Sequence, residues 1–358
     1  MRKQKKTKTL SINSSSRSFF VSDIHASLKL FKLAIEKINL SKSDNLFIVG
    51  DILEKGNSNL LLLDYLIELE DKVNLYILRG NCDEILRSVI MPINELSTLF
   101  FVNVKGNSIL NEMLDRENIK LTSKSNFEIV FTNLYIKYKK YFDFVDSFYD
   151  LILLNDKYIL VHGGIDSLDF LNEYNYYDFL KNDNYLIKGK YNEKIRIVGH
   201  FPTINYCDKI PSNKIIFNYD KNIIAIDGGN NVKLSGQINI LELENDRFKS
   251  YFVDDLEYIT ANFNLSYQNE DICSINSYIS QIFSIKEISA DYYLINDKCY
   301  APKYSVKGKF VYFSTNYFMN ININDKIAVI FKGDLYYLIK KDGDVGYILK
   351  EDGLKYGL

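Results

Sequence analysis

Six polar residues could do chemistry together, because each one follows a short apolar run at the point where a buried strand would end. These residues are Asp23, His25, Asp51, Asn81, His162 and His200. In open α/β sheets, ligands bind at the carboxyl ends of the strands. A single histidine in such a position is usually a core residue, but all three histidines of the chain occupy it. Because imidazole, carboxylate and amide groups suit Zn, Fe or Mn ions, the pattern predicts a metal site.

The first part of the chain predicts the elements that would position Asp23, Asp51 and Asn81. Apolar runs predict strands at 19–22, 45–49 and 73–78, and the segments between them have the apolar spacing of helices. Strands that alternate with helices are parallel and have right-handed crossovers. The carboxyl ends of the three strands should therefore lie at the same edge of one sheet.

The stretch from residue 84 to residue 254 predicts further helices and a second sheet. Residues 84–150 predict a helical insertion, with two interpretations open: a lid over the site, or a cap that only packs against the domain. A hairpin at 151–161 ends just before His162, and a strand at 195–198 ends just before His200. Alternating apolar and polar residues at 237–252 should complete the second sheet.

The two ends of the chain differ from the middle. Residues 1–18 start with a basic run and predict a disordered tail, and no apolar segment of the kind a signal peptide needs follows them. Residues 255–358 predict a separate domain, because short strand-like runs recur there with Gly and Asp turns. That pattern resembles a small β-barrel of the Src-homology-3-like type, which could bind a protein partner.

Charge and cysteine content exclude several classes of function. The formal net charge is −2, so no global field favours binding to nucleic acid. No apolar stretch reaches the roughly 20 residues that a membrane helix needs. Cys82, Cys207, Cys273 and Cys299 are widely spaced and form no Cys-x-x-Cys motif. A disulfide framework is therefore not expected, and the expected location is a reducing cytoplasm.

Five short motifs contain the six polar residues and follow one another in a distinctive order. They are Asp-x-His at 23–25, Gly-Asp-x-x-x-x-Gly at 50–56, Gly-Asn-x-Asp at 80–83, Val-His-Gly-Gly at 161–164 and Gly-His at 199–200. By these motifs, residues 19–254 resemble the calcineurin-like metallophosphoesterases. The narrower resemblance is to the phosphoprotein-phosphatase branch, which includes bacterial serine/threonine phosphatases and symmetrical diadenosine tetraphosphatases.

The resemblance implies an α/β fold in which two packed mixed sheets are flanked by helices, an αββα sandwich. It also implies two divalent cations. One would be held by Asp23, His25 and Asp51, and the other by Asp51, Asn81, His162 and His200. Asp51 would bridge the cations and offset their repulsion, and a hydroxide between them would attack phosphorus in line with the leaving oxygen. Asn81 would also contact the substrate.

Two residues depart from the family pattern at the position of the general acid. Cys82 stands where the family has a histidine, and Glu54 stands where it has the aspartate that orients this histidine. A thiol can donate a proton but hydrogen-bonds weakly, so esters with poor leaving groups would be slowed most. Cys82 could instead be a packing residue, or a covalent nucleophile, although the hydroxide already fills that last role.

The phosphate clamp also departs from the family pattern. Lys55 stands where the family has the arginine of Asp-Arg-Gly, and Lys188 is the candidate for a second clamp residue. Lysine supplies charge without the bidentate geometry of arginine, so it would orient the phosphate less strictly. Both lysines could instead be solvated surface residues. Asp227 is predicted to support the ligands from behind, and Arg79 to form a structural ion pair.

Three functions are consistent with these residues. The leading hypothesis is metal-dependent hydrolysis of phosphomonoesters, with phosphorylated serine or threonine in proteins as one candidate substrate. The second is hydrolysis of a dinucleoside polyphosphate. The third is a weakly active phospho-ligand sensor whose C-terminal barrel binds a partner. The six-residue ligand set favours an enzyme, whereas the changes at Cys82, Glu54 and Lys55 favour the sensor.

Overall fold

The computed structural model describes residues 5–86, 107–122, 124–169, 175–275, 284–308 and 310–358. The chain folds as two compact units. The first comprises Met1–Phe201, Ile215–Val232 and Ile238–Val253, and the second comprises Pro202–Lys214, Lys233–Gln237 and Asp254–Leu358. The second unit therefore takes two short segments from the range 19–254, which the sequence predicted to form one domain.

The first unit contains strands β1 to β11 and helices α1 to α7. The strands are β1 (Thr7–Leu10), β2 (Ser18–Val21), β3 (Asn45–Val49), β4 (Asn74–Leu78), β5 (Leu151–Leu154), β6 (Tyr158–Leu160), β7 (Ile195–Val198), β8 (Ile216–Asn218), β9 (Ile223–Ala225), β10 (Ile238–Glu244) and β11 (Arg247–Val253). The helices are α1 (Leu28–Ile38), α2 (Asn59–Glu70), α3 (Ile109–Arg116), α4 (Phe127–Lys137), α5 (Lys139–Ser147), α6 (Tyr176–Leu180) and α7 (Tyr185–Lys188). Within the ranges that the structure describes, no helix combines the length and the apolar character that a membrane span requires.

The strands of the first unit form two mixed sheets. One sheet has the order β11-β10-β2-β3-β4, and the other has the order β1-β5-β6-β7-β9-β8. Strands β2, β3 and β4 are parallel, which confirms the prediction from the alternation of strands and helices. Strands β5 and β6 pair antiparallel, as the hairpin pattern predicted. The carboxyl ends of the three parallel strands consequently meet at one edge of their sheet.

An apolar core lies between the two sheets. Phe20, Phe47 and Tyr76 occupy paired positions on β2, β3 and β4, and neighbouring rings stack with their centroids 5.0 Å apart. The same cluster includes Ile152 and Leu160 from the other sheet. The alternate residues of these strands belong to a second cluster, which the helices cover. Because β2 and β3 are buried on both faces, they appear in the sequence as continuous apolar runs.

Helices α1 to α5 cover the outer face of the five-stranded sheet. Their buried side chains form one apolar cluster with the strand residues on that face. Helices α3, α4 and α5 lie within the predicted insertion 84–150, and their contacts with this cluster agree with the packing interpretation. Residues 87–106 of the insertion lie outside the described residues.

The basic N-terminal segment was predicted to be a disordered tail through residue 18, and for its described part this prediction is wrong. Strand β1 pairs in parallel with β5, from Thr7 opposite Leu151 to Leu10 opposite Leu154. Three of its four residues are exposed, so no apolar pattern marked it as a strand. An edge strand needs only backbone partners, and lysine is common at sheet edges because it discourages further pairing.

The second unit is rich in strands, as predicted. Its strands are β12 (Tyr258–Thr260), β13 (Ser274–Ile275), β14 (Ile285–Glu287), β15 (Tyr292–Ile295), β16 (Cys299–Pro302), β17 (Val306–Lys307), β18 (Phe310–Val311), β19 (Ser314–Thr315), β20 (Lys326–Lys332), β21 (Tyr336–Lys341) and β22 (Asp344–Leu349), followed by helix α8 (Lys350–Lys355). They form a sheet of order β12-β20-β21-β22, a sheet of order β13-β19-β16-β15-β14, and the ribbon β17-β18. Among the described residues these are separate sheets, whereas the sequence predicted one closed barrel.

Aromatic side chains connect the two sheets of the second unit, and backbone hydrogen bonds join Tyr347 on β22 to Tyr317 and Met319, just after β19. Tyr292 on β15 and Tyr347 on β22 pack with ring centroids 5.9 Å apart in a buried aromatic cluster. Short strands with Gly and Asp turns predict hairpins, but they do not determine how the outer strands pair. Cys273 and Cys299 form a disulfide in this unit, contrary to the expectation from cysteine spacing. Their sequence separation of 26 residues matches no signature motif.

Leu63 and Leu61 on α2 allow a matched test of the packing of the first unit. Leu63 is fully buried in the cluster beneath the helices, whereas Leu61 is 52% exposed. We expect Leu63→Ala to lower the free energy of unfolding by about 2–5 kcal/mol and Leu61→Ala to change it by less than about 0.5 kcal/mol. Urea denaturation of both variants measures this difference. Equal losses would contradict the described orientation of α2.

Candidate metal centre

Backbone hydrogen bonds join the loops that follow β2 and β3. The amide of Asp23 donates to Gly50 O, that of His25 donates to Asp51 O, and that of Ala26 donates to Ile52 O. These bonds continue the pairing of the parallel strands beyond their ends. The two loops therefore hold the side chains of Asp23, His25 and Asp51 at fixed positions relative to one another.

Asp83 fastens the loop after β4 to the loop after β3. Its Oδ2 accepts from the amides of Asp51 and Gly80 at 3.0 and 2.8 Å, and its Oδ1 accepts from the amides of Ile52 and Leu53 at 3.0 and 3.1 Å. The residue is fully buried. Asp83 lay inside a quoted motif but had no predicted role, because only the fold shows which amides its carboxylate faces.

Several predicted ligands adopt a left-handed backbone conformation that non-glycine residues rarely occupy. The φ angles of Asp23, His25, Asp51 and His200 are 54°, 48°, 52° and 68°. Each such residue costs on the order of 1–3 kcal/mol, and such residues cluster at functional sites. The strain is tolerated because the hydrogen bonds of the loops leave these residues no relaxed alternative.

Two glycines permit close approaches that a side chain would block. A Cβ on Gly80 would lie 2.1 Å from Asp51 Oδ1, so no larger residue fits beside that carboxylate. Gly50 has a φ of +83°, and a Cβ there would lie 2.6 Å from His162 Nδ1. The loops can therefore bring Asp51 and His162 together only with glycine at these positions.

The ligand atoms form two groups that share one carboxylate. In one group, atoms of His25, Asp51 and Cys82 all lie within 4.8 Å of one another. In the other, atoms of Asp51, His162 and His200 do so. Asp51 thus occupies the shared position that the family resemblance implied. Two cations that lie close together need such a shared carboxylate to offset their repulsion.

The histidines are oriented so that one ring nitrogen of each faces the site. His25 Nδ1 lies 3.3 Å from Leu53 O, and His162 Nδ1 lies 2.7 Å from Val49 O. A ring that donates its Nδ1 proton to a carbonyl keeps an Nε2 lone pair for a metal ion. His200 is turned the other way, because its Nε2 lies 2.7 Å from Asp183 Oδ1. Its Nδ1 is then the ring nitrogen that faces the site, where it lies beside the amide of Asn81.

Two buried polar atoms meet the requirement for metal ligands. Among the described residues, none forms a hydrogen bond with Asp23 Oδ1 or His162 Nε2. Asp23 Oδ1 lies 3.6 Å from His25 Nε2, and His162 Nε2 lies 3.3 Å from Asp51 Oδ1. Leaving a buried polar atom without a partner is costly, and a cation would satisfy both atoms. The residues present therefore fit a pair of divalent metal ions.

Asn81 lies beside the second group. With the amide oriented so that both of its ends find partners, its nitrogen donates to His200 Nδ1 at 2.8 Å and to Leu180 O at 3.2 Å, and its oxygen accepts from the amide of Cys82 at 3.2 Å. The backbone amide of His200 in turn donates to Asp23 Oδ2 at 3.1 Å. All six residues predicted to bind metal are thus brought together in the structure.

The electrostatics of the site show an excess of buried negative charge. Burial and the charge of Asp51 raise the pKa of Asp23 to about 6. Burial raises the pKa of Asp51, but His162, His25 and Lys55 more than offset this and hold it well below its usual range. Burial disfavours a charged imidazole at His162, yet Asp51 and Asp23 raise its pKa to about 10. The carboxylates that attract this proton would equally attract a metal cation.

Lys55 supplies a positive charge within this site. Much of the Lys55 residue is exposed to solvent, but its ammonium nitrogen, Nζ, lies 3.0 Å from His25 Nε2. Burial and the charge of Lys55 lower the pKa of His25 to about 3, so the imidazole is neutral and can accept from the ammonium. Lys55 therefore lies at the site, and its contact there is with His25, a predicted metal ligand. Its predicted contact with a substrate phosphate stays a prediction.

Cys82 and Glu54 were predicted to act as a pair, but the structure does not join them. Glu54 Oε1 accepts from the amide of Ile109, at the start of α3, at 3.0 Å. In the described part of the chain no hydrogen bond connects Glu54 with Cys82. Burial and the charge of Asp51 raise the pKa of the Cys82 thiol well above its usual range, which disfavours a nucleophilic thiolate.

Lys188 and Arg79 form their described hydrogen bonds with residues other than the predicted ligands. The Lys188 side chain is exposed and donates to Asp183 O at 3.0 Å, so its role as a clamp residue stays a prediction. Arg79 forms the predicted ion pair, with Nη1 3.0 Å from Glu84 Oε1. Its other terminal nitrogen, Nη2, donates to Val145 O on α5. Arg79 therefore fastens α5 beneath the loop that carries Asn81.

Asp227, Asn230 and Asn231 lie behind the predicted ligands, and the sequence predicted a supporting role for Asp227 alone. Asp227 is buried, and burial together with the charge of Asp23 raises its pKa well above the usual range. Asn230 donates to Ile24 O at 2.7 Å, and Asn231 donates to His25 O at 2.8 Å. These two asparagines anchor the loop after β2. No motif or spacing in the sequence predicted a role for these asparagines.

The fold and the site together define a class of protein: an α/β sandwich that brings two groups of candidate metal ligands to the carboxyl ends of its strands. A family model described as calcineurin-like phosphoesterase matches residues 16–265, which is more than half of the chain. The chain therefore belongs to the calcineurin-like phosphoesterases, and the resemblance predicted from the five motifs is confirmed. Proteins of this family use divalent metal ions, and the two groups around Asp51 are candidate sites for such ions.

Two curated relatives are symmetrical bis(5'-nucleosyl)-tetraphosphatases of Buchnera aphidicola. The one from subspecies Acyrthosiphon pisum is 36% identical over 67 residues, which are 18% of this chain and 24% of that protein. The one from subspecies Schizaphis graminum is 32% identical over 104 residues, which are 29% of this chain and 35% of that protein. The chain thus spans only 24% and 35% of the lengths of these relatives.

Two solved structures are similar at low identity. A serine/threonine phosphatase from Saccharomyces cerevisiae is 11% identical with a TM-score of 0.45, covering 71% of this chain and 85% of that one. A cold-active protein-tyrosine phosphatase of a psychrophilic Shewanella is 13% identical with a TM-score of 0.45, covering 70% of this chain and 83% of that one. These scores add nothing about function.

Asp83→Asn tests whether the four amide contacts of Asp83 position the site. The amide nitrogen of asparagine cannot accept, so two of the buried N–H groups lose their partner. We expect the free energy of unfolding to fall by about 1–3 kcal/mol for each unsatisfied donor, and cation binding to weaken. Urea denaturation and calorimetric titration with Mn²⁺ measure these effects. Asp71→Asn, the same change at an exposed residue, is the control. Unchanged values for Asp83→Asn would contradict the assigned role.

Lys55→Gln tests the electrostatic effect of Lys55 on metal binding. Removing a positive charge that lies beside His25 should strengthen binding of a divalent cation, by about tenfold, because the ammonium no longer competes for the same carboxylates. Calorimetric titration with Mn²⁺ measures the dissociation constant, and Lys72→Gln at an exposed position serves as the control. Equal or weaker binding by Lys55→Gln would show that Lys55 does not compete with the cation.

Proposed function

We propose that this chain is a phosphoesterase that uses two divalent cations to hydrolyse phosphomonoesters. The single observation that carries the proposal is the pair of ligand groups that share Asp51. A protein that only binds a phosphorylated ligand needs no pair of cations to generate a hydroxide, whereas two cation sites joined by a shared carboxylate suit hydrolysis by a metal-activated water. Membership of the calcineurin-like phosphoesterases supports the same class of reaction.

The residues of the chain would hold and orient the groups that react. When bound, the cations would supply a water of lowered pKa and positive charge for the phosphoryl oxygens. Asp51 is charged at neutral pH, since its pKa lies well below its usual range, and it can therefore serve both groups. His25 and His162 are fixed by backbone carbonyls, so their Nε2 atoms need no reorganisation during the reaction.

Lys55 is the residue that we propose to contact the substrate phosphate, and Asn81 lies close enough to the same groups to assist it. Once cations balance the carboxylates, the Lys55 ammonium is repelled from His25 and can turn towards an anionic substrate. Its exposed position allows this movement. A lysine offers a point charge and no bidentate geometry, so the site should accept phosphates in more than one orientation.

The engagement of Glu54 with α3 has a consequence for the choice of substrate. Without an oriented general acid, water would protonate the leaving oxygen. General acid catalysis typically contributes 10²–10⁴-fold, so alkyl phosphates would react more slowly than aryl phosphates or nucleotides by about that range. Phosphoserine and phosphothreonine in proteins are the candidate physiological phosphomonoesters, and they would be slow substrates.

Hydrolysis of a dinucleoside polyphosphate is the second candidate function. The curated relatives are named as symmetrical bis(5'-nucleosyl)-tetraphosphatases, which supports this alternative for the segments that match. A nucleotide is also a good leaving group, which suits a site without an oriented general acid. The same two cations and the same Asp51 would serve both reactions.

The remaining expectations from the sequence stay predictions. Mn, Fe and Zn are all candidates for the native metal. A protein partner of the second unit, and the absence of nucleic acid and membrane partners, are likewise predictions. The cytoplasmic location was predicted from the spacing of the cysteines, and the disulfide between Cys273 and Cys299 does not support that reasoning.

Asp51→Asn tests the proposed reaction. The substitution keeps an acceptor for the amide of Cys82 but removes the charge that both groups share. We expect hydrolysis of p-nitrophenyl phosphate with Mn²⁺ to fall by more than about 100-fold, because even residues behind metal ligands contribute 10- to 100-fold. Asp71→Asn is the control at an exposed position.

A substrate panel would distinguish the candidate functions. Diadenosine tetraphosphate and a phosphoserine peptide are assayed beside p-nitrophenyl phosphate. Preference for the dinucleotide favours the second candidate. A protein that binds two Mn²⁺ ions but hydrolyses none of the three would contradict the proposal and favour a sensor of phosphorylated ligands.

A further inference from the structure

The sulfur of Cys82 lies among the ligand atoms of the first group. It is within 4.8 Å of a ring nitrogen of His25 and a carboxylate oxygen of Asp51. In the second group, ligand atoms of Asp51, His162 and His200 also lie within 4.8 Å of one another. The family resemblance gave this position to a general acid and not to a ligand. The geometry therefore puts sulfur where the sequence predicted only nitrogen and oxygen donors.

The position of Cys82 is fixed by its surroundings. Its backbone amide donates to Asp51 Oδ1 at 2.8 Å, so the cysteine is tied to the carboxylate that both groups share. The next residue, Asp83, fastens the same loop through four amides. Cys82 is only 5% exposed. The backbone that carries the sulfur is thus held in place beside the carboxylate of Asp51.

A second observation indicates a cation at the same place. Asp23 Oδ1 is buried, has no hydrogen-bond partner among the described residues and lies 3.6 Å from His25 Nε2. Lys55 already brings an ammonium group to within 3.0 Å of that nitrogen. An unsatisfied carboxylate oxygen and an attracted ammonium both show that this group of residues favours positive charge.

The alternative role of Cys82 as a general acid has less support from the described contacts. In the family pattern a carboxylate at the position of Glu54 orients the proton donor, whereas Glu54 Oε1 here accepts from the amide of Ile109, and no hydrogen bond between described residues joins Glu54 to Cys82. A role in packing alone does not explain why the sulfur faces His25 and Asp51 rather than the apolar clusters. The ligand role accounts for both observations.

We infer that Cys82 Sγ is a ligand of the cation held by His25 and Asp51, with Asp23 completing the group. The inference rests on the two cations of the proposed function. The thiol would release its proton to solvent when the cation binds, as coordinating thiols do. Because thiolate ligands favour Zn²⁺ over Mn²⁺, this site should select zinc, whereas the second site, with nitrogen and oxygen ligands, should not.

Titration with Co²⁺ in the absence of substrate tests the inference directly. A thiolate bound to Co²⁺ gives a charge-transfer absorption band in the near ultraviolet, which nitrogen and oxygen ligands do not give. We expect the wild-type protein to develop this band and to saturate it with one of its two equivalents of Co²⁺. The Cys82→Ser variant should bind Co²⁺ without the band, and Cys207→Ser, which removes the other free cysteine, should keep it.

Competition between metals provides an independent readout. We expect Cys82→Ser to weaken Zn²⁺ binding by at least about tenfold and to change Mn²⁺ binding much less. If Cys82→Ser does not fold, the Cys207→Ser protein provides the test instead. Cys273 and Cys299 are joined in a disulfide, so Cys82 carries the free thiol of that variant. Absence of the band from Cys207→Ser with two Co²⁺ ions bound would overturn the inference.

The outcomes separate this inference from the proposed function. A protein that shows the band but hydrolyses no phosphoester keeps the ligand role of Cys82 and loses the proposed reaction. A protein that hydrolyses phosphoesters but shows no band keeps the reaction and loses the ligand role. An unchanged band in Cys82→Ser would also overturn the ligand role.

Discussion

Buried carboxylates at the end of one sheet set the main constraint on this structure. Asp23, Asp51 and Asp227 are each only 1% exposed, and Asp23 and Asp51 act on each other electrostatically. Like charges in a buried site raise one another's free energy unless positive charge balances them. The ammonium of Lys55 provides part of that balance. The nearby negative charge also raises the pKa values of His162 and Asp227, so both groups hold their protons more tightly.

The rest of the first unit keeps these groups from moving apart. Parallel pairing of β2, β3 and β4 brings the three loops to one edge, and the apolar core beneath them is closely packed around Phe47. Asp83 then links two of the loops through four amides. Left-handed backbone at Asp23 and Asp51 would relax if the loops could open. The stability of the sandwich thus maintains a site that would be unfavourable on its own.

Sequence patterns predicted those features that depend on local order along the chain. Continuous apolar runs predicted the parallel strands, and the polar residues after such runs are the six side chains that the structure brings together. Features that depend on distant partners were not predictable in this way. Strand β1 needs only the free edge of β5, the Cys273–Cys299 disulfide has no motif, and the engagement of Glu54 depends on where α3 begins. The closure of the C-terminal sheets likewise depends on pairing between strands far apart in the chain.

Two of the departures from the family pattern, Cys82 and Lys55, lie at the first group of candidate ligands. Cys82 contributes an atom to the first group, and Lys55 contacts His25 in the same group. The second group, with Asp51, His162 and His200, keeps the nitrogen and oxygen donors that the family resemblance implied. The two groups are therefore chemically unlike although they share a carboxylate. Because Cys82 and Lys55 both lie at the first group, a change in its metal preference would reach the second group only through the carboxylate of Asp51 that the two groups share.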